Sequence, residues 1–218
     1  MRVVGGSWRG RRLVAPPGTT TRPTSDRVRE SVFNMLESLG LVAGARVADL
    51  FCGSGALGIE ALSRGAVHAT FVDRDRAAIE ATVENLRRCG IEPSGSPRRS
   101  AGAGSGVPVD GTGAAASASV RRVDLSRRDA DPGFVDLVLA DPPYSFGNWS
   151  GVLRAVSDAG VGALVVESDR AVVLGSGWNV LRERSYGGTV VQIALARQPE
   201  TLTRLAEPPH VHHSAGPS

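Results

Sequence analysis

The chain has 218 residues, 41% of them hydrophobic, which is enough for one domain with a proper core or one domain plus a small appendage. Its net charge is +3, and all 25 basic residues are arginines, whose planar guanidinium groups suit phosphates and bases. No apolar stretch approaches the roughly 20 residues of a membrane span, and the N-terminus has no signal-peptide pattern, so we expect a cytoplasmic protein.

The first forty residues form a basic segment. Glycine and proline pairs predict short strands and turns over residues 1–24. Apolar spacing predicts a helix that runs to about Leu39 and is capped within Thr24-Ser25-Asp26. Seven arginines but only two acids fall in the first thirty residues, which is typical of a nucleic-acid-binding arm. The candidate phosphate contacts are Arg9, Arg11, Arg12, Arg22, Arg27 and Arg29. The last three could instead orient the cofactor side of a pocket or form a solvated helix face.

From Ala45 onwards, strand and helix patterns alternate. The expected helices span 56–63 and 76–89, and the expected strands span 46–51, 69–72, 120–123, 135–140 and 162–167. Two further strands, 178–186 and 189–196, are separated only by Gly187-Gly188, which predicts a hairpin. The fold class is therefore α/β, with a mostly parallel, Rossmann-like seven-stranded sheet that ends in an antiparallel hairpin.

Two segments do not fit this alternation. Residues 92–119 contain little besides Gly, Ala, Ser and Pro, and we expect a disordered insertion in a surface loop. Residues 199–218 are expected to form a disordered tail. The predicted organisation is an N-terminal extension (1–40) with a β-hairpin and a helix, a core (41–198) and the tail. Cys52 and Cys89 form no disulfide framework and have no metal-ligand spacing, so no metal is expected.

A glycine-rich segment from Asp49 to Gly58 follows the first strand of the core and opens a helix. Glycines let a ligand approach the backbone closely, and a helix N-terminus offers unpaired amides. Asp73 ends the next strand, where its carboxylate can accept hydrogen bonds from both hydroxyls of a ribose. These features predict a nucleoside-binding site. Its candidate residues are Asp49, Phe51, Cys52, Gly53, Ser54, Gly55, Asp73 and Asp124.

Two cofactor classes fit this segment. The spacing Gly53-x-Gly55-x-x-Gly58 matches the fingerprint of NAD sites, but a pyrophosphate does not account for Asp49. S-adenosylmethionine carries an ammonium and a sulfonium and no phosphate, so Asp49 would lie close to its amino-acid end. Asp124 could reach the adenine amino group, or it could be a surface or capping residue.

The sequence Asp141-Pro142-Pro143-Tyr144 follows the fourth strand of the core. In a doubly wound sheet the ligand lies across the carboxyl ends of the strands, so this loop should face the same crevice as the glycine-rich segment. Proline fixes the backbone and leaves carbonyls as acceptors. An acid, a free carbonyl and an aromatic ring can hold the amino group of a nucleobase while Tyr144 stacks on the base. These four residues are the predicted catalytic site.

The chain resembles the bacterial 16S rRNA guanine-N2 methyltransferases of the RsmD family. The resemblance rests on the Asp-Pro-Pro-Tyr tetrad, on the whole segment from Asp49 to Gly65, and on two stretches of the N-terminal extension. These stretches are Arg2-Val3-Val4-Gly5-Gly6 with Arg9-Gly10-Arg11, and Arg22-Pro23-Thr24-Ser25-Asp26-Arg27-Val28-Arg29-Glu30. The insertion at 92–119 departs from the family pattern and leaves the surroundings of Asp124 open.

The resemblance implies a class I methyltransferase core with an RNA-engaging N-terminal extension. We therefore expect S-adenosyl-L-methionine-dependent methylation of the N2 amino group of a guanine in 16S rRNA, within the small ribosomal subunit or its precursor, by a monomer. Three alternatives stay open: a DNA adenine-N6 methyltransferase, an NAD-dependent oxidoreductase and a non-catalytic RNA-binding protein.

Overall fold

The computed structural model describes residues 1–17, 26–95, 107–108, 115–126 and 132–197. Four helices occur in this part of the chain: α1 (Asp26–Ser38), α2 (Ala56–Ser63), α3 (Arg76–Arg88) and α4 (Trp149–Asp158). The strands are β1 (Arg46–Leu50), β2 (His68–Asp73), β3 (Val107–Pro108), β4 (Ala115–Arg122), β5 (Leu137–Ala140), β6 (Ala163–Ser168), β7 (Trp178–Tyr186) and β8 (Thr189–Ala196). No helix among the described residues is long and apolar enough to cross a membrane.

All the strands join one sheet, in the order β3-β4-β2-β1-β5-β6-β8-β7. The five strands β4, β2, β1, β5 and β6 are mutually parallel, whereas β8 runs antiparallel to β6 and forms a hairpin with β7. The predicted α/β fold, with a mostly parallel seven-stranded sheet and a terminal antiparallel hairpin, is therefore confirmed. The two-residue strand β3 is an addition at the sheet edge.

The register of the central strands aligns their carboxyl ends. Leu50 at the end of β1 pairs with Val72 on one side and with Ala140 on the other. The loops that follow β1, β2 and β5 consequently leave the sheet side by side, at the edge where doubly wound folds bind ligands.

The sheet is covered on both faces, as a parallel sheet requires. On one face, Phe33 and Leu36 of α1 pack with Ile59 of α2 and Leu86 of α3. On the other face, α4 contributes Val152, Leu153 and Val156 to a second cluster. Helix α4 was not predicted from the sequence, although its buried residues have helical spacing.

The predicted insertion is wrong at its C-terminal end. Strand β4 begins at Ala115 rather than at Val120, and Ala116 and Ala118 are buried in the core. At the other end, Ser94 forms a parallel bridge with Ser119. The centre of the insertion, residues 96–106 and 109–114, lies outside the described residues, as does the predicted tail, 199–218.

The N-terminal segment folds back onto the core. Arg2 and Arg12 form an antiparallel bridge, as expected for a short hairpin, and a single 3-10 turn spans Gly6–Trp8. The Trp8 amide donates a hydrogen bond to Ser63 Oγ at 2.9 Å, and the Val4 amide donates to Glu60 Oε2 at 2.8 Å. Helix α2 therefore fixes the start of the chain.

A buried ionic network joins this segment to α1 and α2. The Glu60 side chain is 0% exposed and accepts a hydrogen bond from Arg64 Nε at 2.7 Å. Arg29, whose side chain is 1% exposed, lies 3.7 Å from the other Glu60 oxygen and donates to Asp26 and to the Arg2 carbonyl. The prediction that Arg29 contacts RNA is wrong, because its guanidinium group is enclosed by these partners.

Replacing Arg29 by Met should destabilise the protein by about 3 kcal/mol or more, because it leaves the buried Glu60 carboxylate with less compensation. The control is Arg76→Met, which removes the exposed Arg76–Glu80 ion pair and should cost about 1 kcal/mol or less. Urea unfolding of both variants measures the difference. Equal losses in the two variants would contradict a structural role for Arg29.

Candidate functional site

The loop between β1 and α2 has an unusual backbone conformation. Phe51, Gly53 and Gly55 all lie in the left-handed region, with φ angles of 63°, 56° and 76°. A positive φ is uncommon for a bulky residue such as Phe51 and needs support from its surroundings. Phe146 supplies that support, because its ring packs edge-on against Phe51 with 4.9 Å between centroids.

Side chains from the flanking elements hold this loop through its backbone. The Gly53 amide donates to Asp73 Oδ2 at 2.9 Å, and the Gly58 amide donates to Asp49 Oδ2 at 2.8 Å. Two residues of α3 bind the loop carbonyls: Thr82 Oγ1 donates to Gly53 at 3.1 Å, and Asn85 Nδ2 donates to Ser54 at 2.9 Å. The loop is therefore fixed from three sides.

Close packing requires glycine at the start of α2. A Cβ at Gly58 would lie 2.4 Å from Phe71 Cε1 and 3.1 Å from Asp49 Oδ2. A Cβ at Gly55 would lie 2.9 Å from Thr82 Cγ2. These two glycines thus let α2 approach β2 and α3, which brings the helix N-terminus to the edge of the sheet.

The carboxyl groups of Asp49 and Asp73 and the thiol of Cys52 lie close together at this loop. Burial raises the pKa of Asp49 to about 7, against the opposing effect of the Gly58 hydrogen bond, and the Asp73 carboxylate adds to the increase. Burial also raises the pKa of the Cys52 thiol, and Asp49 and Asp73 raise it further. Because the segment from Asp49 to Gly58 contains no basic residue, this environment favours a cationic group over a phosphate.

The structure places Asp49 behind the loop. Asp49 is only 1% exposed and binds the Gly58 amide, so it fixes the start of α2 and is not open to direct contact. Asp73 lies at the surface of the crevice, where Oδ1 also accepts a hydrogen bond from the Asp75 amide at 2.9 Å. Both predicted residues thus reach the predicted edge of the sheet.

The Asp-Pro-Pro-Tyr loop leaves the sheet beside the glycine-rich loop. The Asp141 amide points to the Leu50 carbonyl, with 3.5 Å between nitrogen and oxygen, and the Pro143 carbonyl accepts a hydrogen bond from Phe146 at 2.8 Å. Tyr144 is 43% exposed, and its hydroxyl forms a 2.7 Å hydrogen bond with Thr189 Oγ1 on β8. The ring of Tyr144 is therefore anchored at its tip and accessible.

Asp124 lies beyond the end of β4, near the same edge. The Val123 amide donates to the Asp73 carbonyl at 2.9 Å, which holds this segment against β2. Asp124 Oδ1 accepts hydrogen bonds from the Ser126 amide and hydroxyl, at 3.0 and 2.6 Å. Asp124 therefore closes a turn, as in the alternative that makes it a capping residue. Its contact with an adenine stays a prediction.

The predicted phosphate contacts differ in their surroundings. Arg9, Arg12 and Arg27 are exposed, and Arg11 is exposed but donates to the Arg88 carbonyl. Arg22 lies outside the described residues. No group of three or more His, Cys, Asp or Glu within the described ranges could hold a metal ion.

Three residues of the site were not predicted from the sequence. Thr82 and Asn85 are polar residues on the buried face of α3, and polar side chains among apolar positions signal a structural or functional bond. Asn85 also binds the N-terminal segment, with its Oδ1 accepting from the Val14 amide at 2.8 Å and its Nδ2 donating to the Val14 carbonyl at 2.9 Å. Thr189 had no comparable signal, since its role depends on the hairpin register.

The chain is similar to several known proteins. A family model described as "Conserved hypothetical protein 95" matches residues 1–102. The chain is 38% identical over 200 residues to "Putative rRNA methyltransferase YlbH" of Bacillus subtilis, covering 88% of this chain and 97% of that protein. It is 49% identical over 86 residues to "Ribosomal RNA small subunit methyltransferase D" of Escherichia coli, covering 39% and 42% of the two chains.

A solved structure has the same fold across nearly the whole chain. "Putative methyltransferase yhhF" from Escherichia coli superposes with a TM-score of 0.69 at 29% sequence identity. The match covers 91% of this chain and 99% of the other.

Replacing Asp49 by Asn should flatten the dependence of stability on pH. The folded protein keeps a proton on Asp49 that the unfolded chain releases above about pH 4. Stability contributed by this group therefore falls as the pH rises from about 4 towards 7, by at most about 1.4 kcal/mol per pH unit. Asn retains an oxygen acceptor for the Gly58 amide.

Urea unfolding of the ligand-free protein from about pH 5 to about pH 8 checks this expectation. The wild type should lose stability relative to Asp49→Asn as the pH rises through this interval. Parallel curves for the two proteins would contradict a raised pKa at Asp49.

Proposed function

We propose a specific reaction for this chain, which belongs to the RsmD family of rRNA methyltransferases. It transfers a methyl group from S-adenosyl-L-methionine to the N2 amino group of a guanine in 16S rRNA. The observation that carries the proposal is the position of Asp141-Pro142-Pro143-Tyr144. This loop follows β5, whose last residue pairs with the end of β1, so it lies beside the glycine-rich loop. A nucleoside cofactor and a planar base could thus meet at one edge of the sheet.

The residues around the glycine-rich loop suit S-adenosyl-L-methionine. Asp73, which also accepts a hydrogen bond from the Gly53 amide, would accept hydrogen bonds from the ribose hydroxyls. The backbone of Phe51, Cys52, Gly53, Ser54 and Gly55 would lie along the cofactor. The Asp73 carboxylate, beside a segment from Asp49 to Gly58 that has no basic residue, would favour an ammonium and a sulfonium and disfavour the pyrophosphate of NAD. When bound, this cofactor supplies an electrophilic methyl group.

The Asp-Pro-Pro-Tyr loop would hold the acceptor. A guanine amino nitrogen is a poor nucleophile because its lone pair is delocalised into the ring. Hydrogen bonds from its two hydrogens to the Asp141 carboxylate and the Pro142 carbonyl would localise that lone pair and direct it at the methyl group. Pro143 keeps the loop rigid, and Tyr144 would stack on the base. Asp141 can also take the proton that the amino group loses.

The N-terminal extension would bind the RNA. Arg9, Arg11, Arg12, Arg22 and Arg27 are the candidate phosphate contacts, which position the substrate without reading its sequence. Asn85 joins this extension to the cofactor side, because it binds both Val14 and Ser54. We infer that a monomer acts in the cytoplasm, on the small ribosomal subunit or its precursor.

A methylation assay tests the proposal. The wild-type protein is incubated with labelled S-adenosyl-L-methionine and small ribosomal subunits that lack the modification, and the RNA is digested to nucleosides. Label should appear in N2-methylguanosine. Asp141→Ala and Asp141→Asn should each lower the rate at least about 100-fold, because they remove a charged acceptor from the reacting amino group.

The matched control is Asp136→Asn. Asp136 precedes the first residue of β5, so it lies at the end of the strand opposite to Asp141 and far from the proposed site. Its carboxylate accepts a hydrogen bond from the Arg46 amide at 2.8 Å. This variant should keep nearly full activity. Label in another nucleoside, or an Asp141→Ala variant as active as the control, would contradict the proposed reaction or site.

A further inference from the structure

Two pairs of hydroxyl groups join α1, the β7–β8 hairpin and the Asp-Pro-Pro-Tyr loop. Tyr144 is bound to Thr189 at 2.7 Å, and Ser31 of α1 is bound to Tyr186 at 2.8 Å. Tyr186 and Thr189 are directly paired across the hairpin, so their side chains share one face of the sheet. The hairpin therefore forms a continuous surface from α1 to the proposed target-base loop.

The turn of this hairpin is open to close approach. It consists of Gly187 and Gly188, with φ angles of 58° and 108°. A Cβ at either position would have no atom within 4 Å among the described residues, so the turn projects into open space. Without side chains, its backbone can contact another chain directly.

Arginines flank this surface on two elements. Arg184 and Arg182 lie two and four residues before Tyr186 on β7, so they are on the same face, and both are exposed. Arg27 is exposed on α1, one helical turn before Ser31. On β7, Glu183 points to the opposite face, where its carboxylate accepts a hydrogen bond from Gln192 at 3.1 Å.

Acidic side chains offset part of the positive charge on the α1 side. Glu30 is exposed on α1, and Asp26 is engaged with Arg2 and Arg29. The β7 side of the surface presents Arg182 and Arg184 from the same face. This arrangement matches a polyanion that passes over the hairpin towards Tyr144.

We propose that the β7–β8 hairpin binds the RNA strand next to the target guanine, with Arg182 and Arg184 contacting its phosphates. This inference rests on the proposed function. A base that leaves its stack to enter a pocket needs its neighbouring backbone held in place, and phosphate contacts next to Tyr144 provide that hold. The hairpin surface consists of Ser31, Tyr186, Gly187, Gly188, Thr189 and Tyr144, flanked by Arg27, Arg182 and Arg184.

The test is the double variant Arg182→Ala/Arg184→Ala, assayed with small ribosomal subunits. Its KM for the subunits should rise about 10-fold or more, and the slope of log binding against log salt should fall by about 2, one for each lost phosphate contact. Its kcat and its affinity for S-adenosylhomocysteine should stay within about 2-fold of wild type, because neither residue touches the cofactor loop.

The control variant is Arg154→Glu on α4, which changes the net charge by the same two units from a surface on the other face of the sheet. It should leave KM and the salt slope nearly unchanged. An equal effect of both variants, or a parallel loss of cofactor affinity in the double variant, would overturn the proposal. The proposed function is tested separately, by whether the wild-type protein methylates the RNA at all.

Repeating the comparison with a protein-free 16S rRNA fragment identifies the partner. The proposal expects the same ratio of KM values between wild type and double variant on the fragment. A defect seen only with assembled subunits would assign the hairpin to a ribosomal protein and overturn RNA contact. Far-UV circular dichroism and binding of S-adenosylhomocysteine verify that the variants are folded.

Discussion

The register of β1 between β2 and β5 is the constraint on which the candidate site depends. Leu50 is opposite both Val72 and Ala140. The loops after β1 and β5 therefore begin at the same edge of the sheet, next to Asp73 at the end of β2. A shift of one residue would exchange the side chains that β1 presents to the two faces of the sheet, and it would separate these groups. Burial of Val47 on one face of the sheet and of Ala48 on the other fixes the register.

Polar groups inside the protein bind the backbone of the loop between β1 and α2 and of the first turn of α2, and so hold both in place. Asp73 binds the Gly53 amide of the loop, and Asp49 binds the Gly58 amide in the first turn of α2. Thr82 and Asn85 bind loop carbonyls. Helix α2, which follows the glycine-rich loop, is joined to the N-terminal segment by Glu60. The extension and the crevice are thus parts of one hydrogen-bonded structure, which is the arrangement expected where a cofactor and a large substrate meet.

Much of this organisation could be predicted from the sequence. Alternating apolar runs and glycines indicated the sheet, the hairpin and the two loops, because these depend on local patterns. Burial of Arg29 was not predicted, since its partner Glu60 is far away in sequence, although an acid among apolar helix residues signals a buried cation. The Ala- and Ser-rich start of β4 was assigned to an insertion because its composition alone does not distinguish a buried strand.

We propose that the crevice binds the nucleoside of S-adenosyl-L-methionine. Calorimetric titration with S-adenosylhomocysteine and, separately, with NAD measures this most directly, using wild type and Asp73→Asn. Saturable binding of S-adenosylhomocysteine, weakened about 10-fold or more in the variant by loss of a charged acceptor, is the predicted result, with no saturable binding of NAD. Binding of NAD but not of S-adenosylhomocysteine would contradict the account.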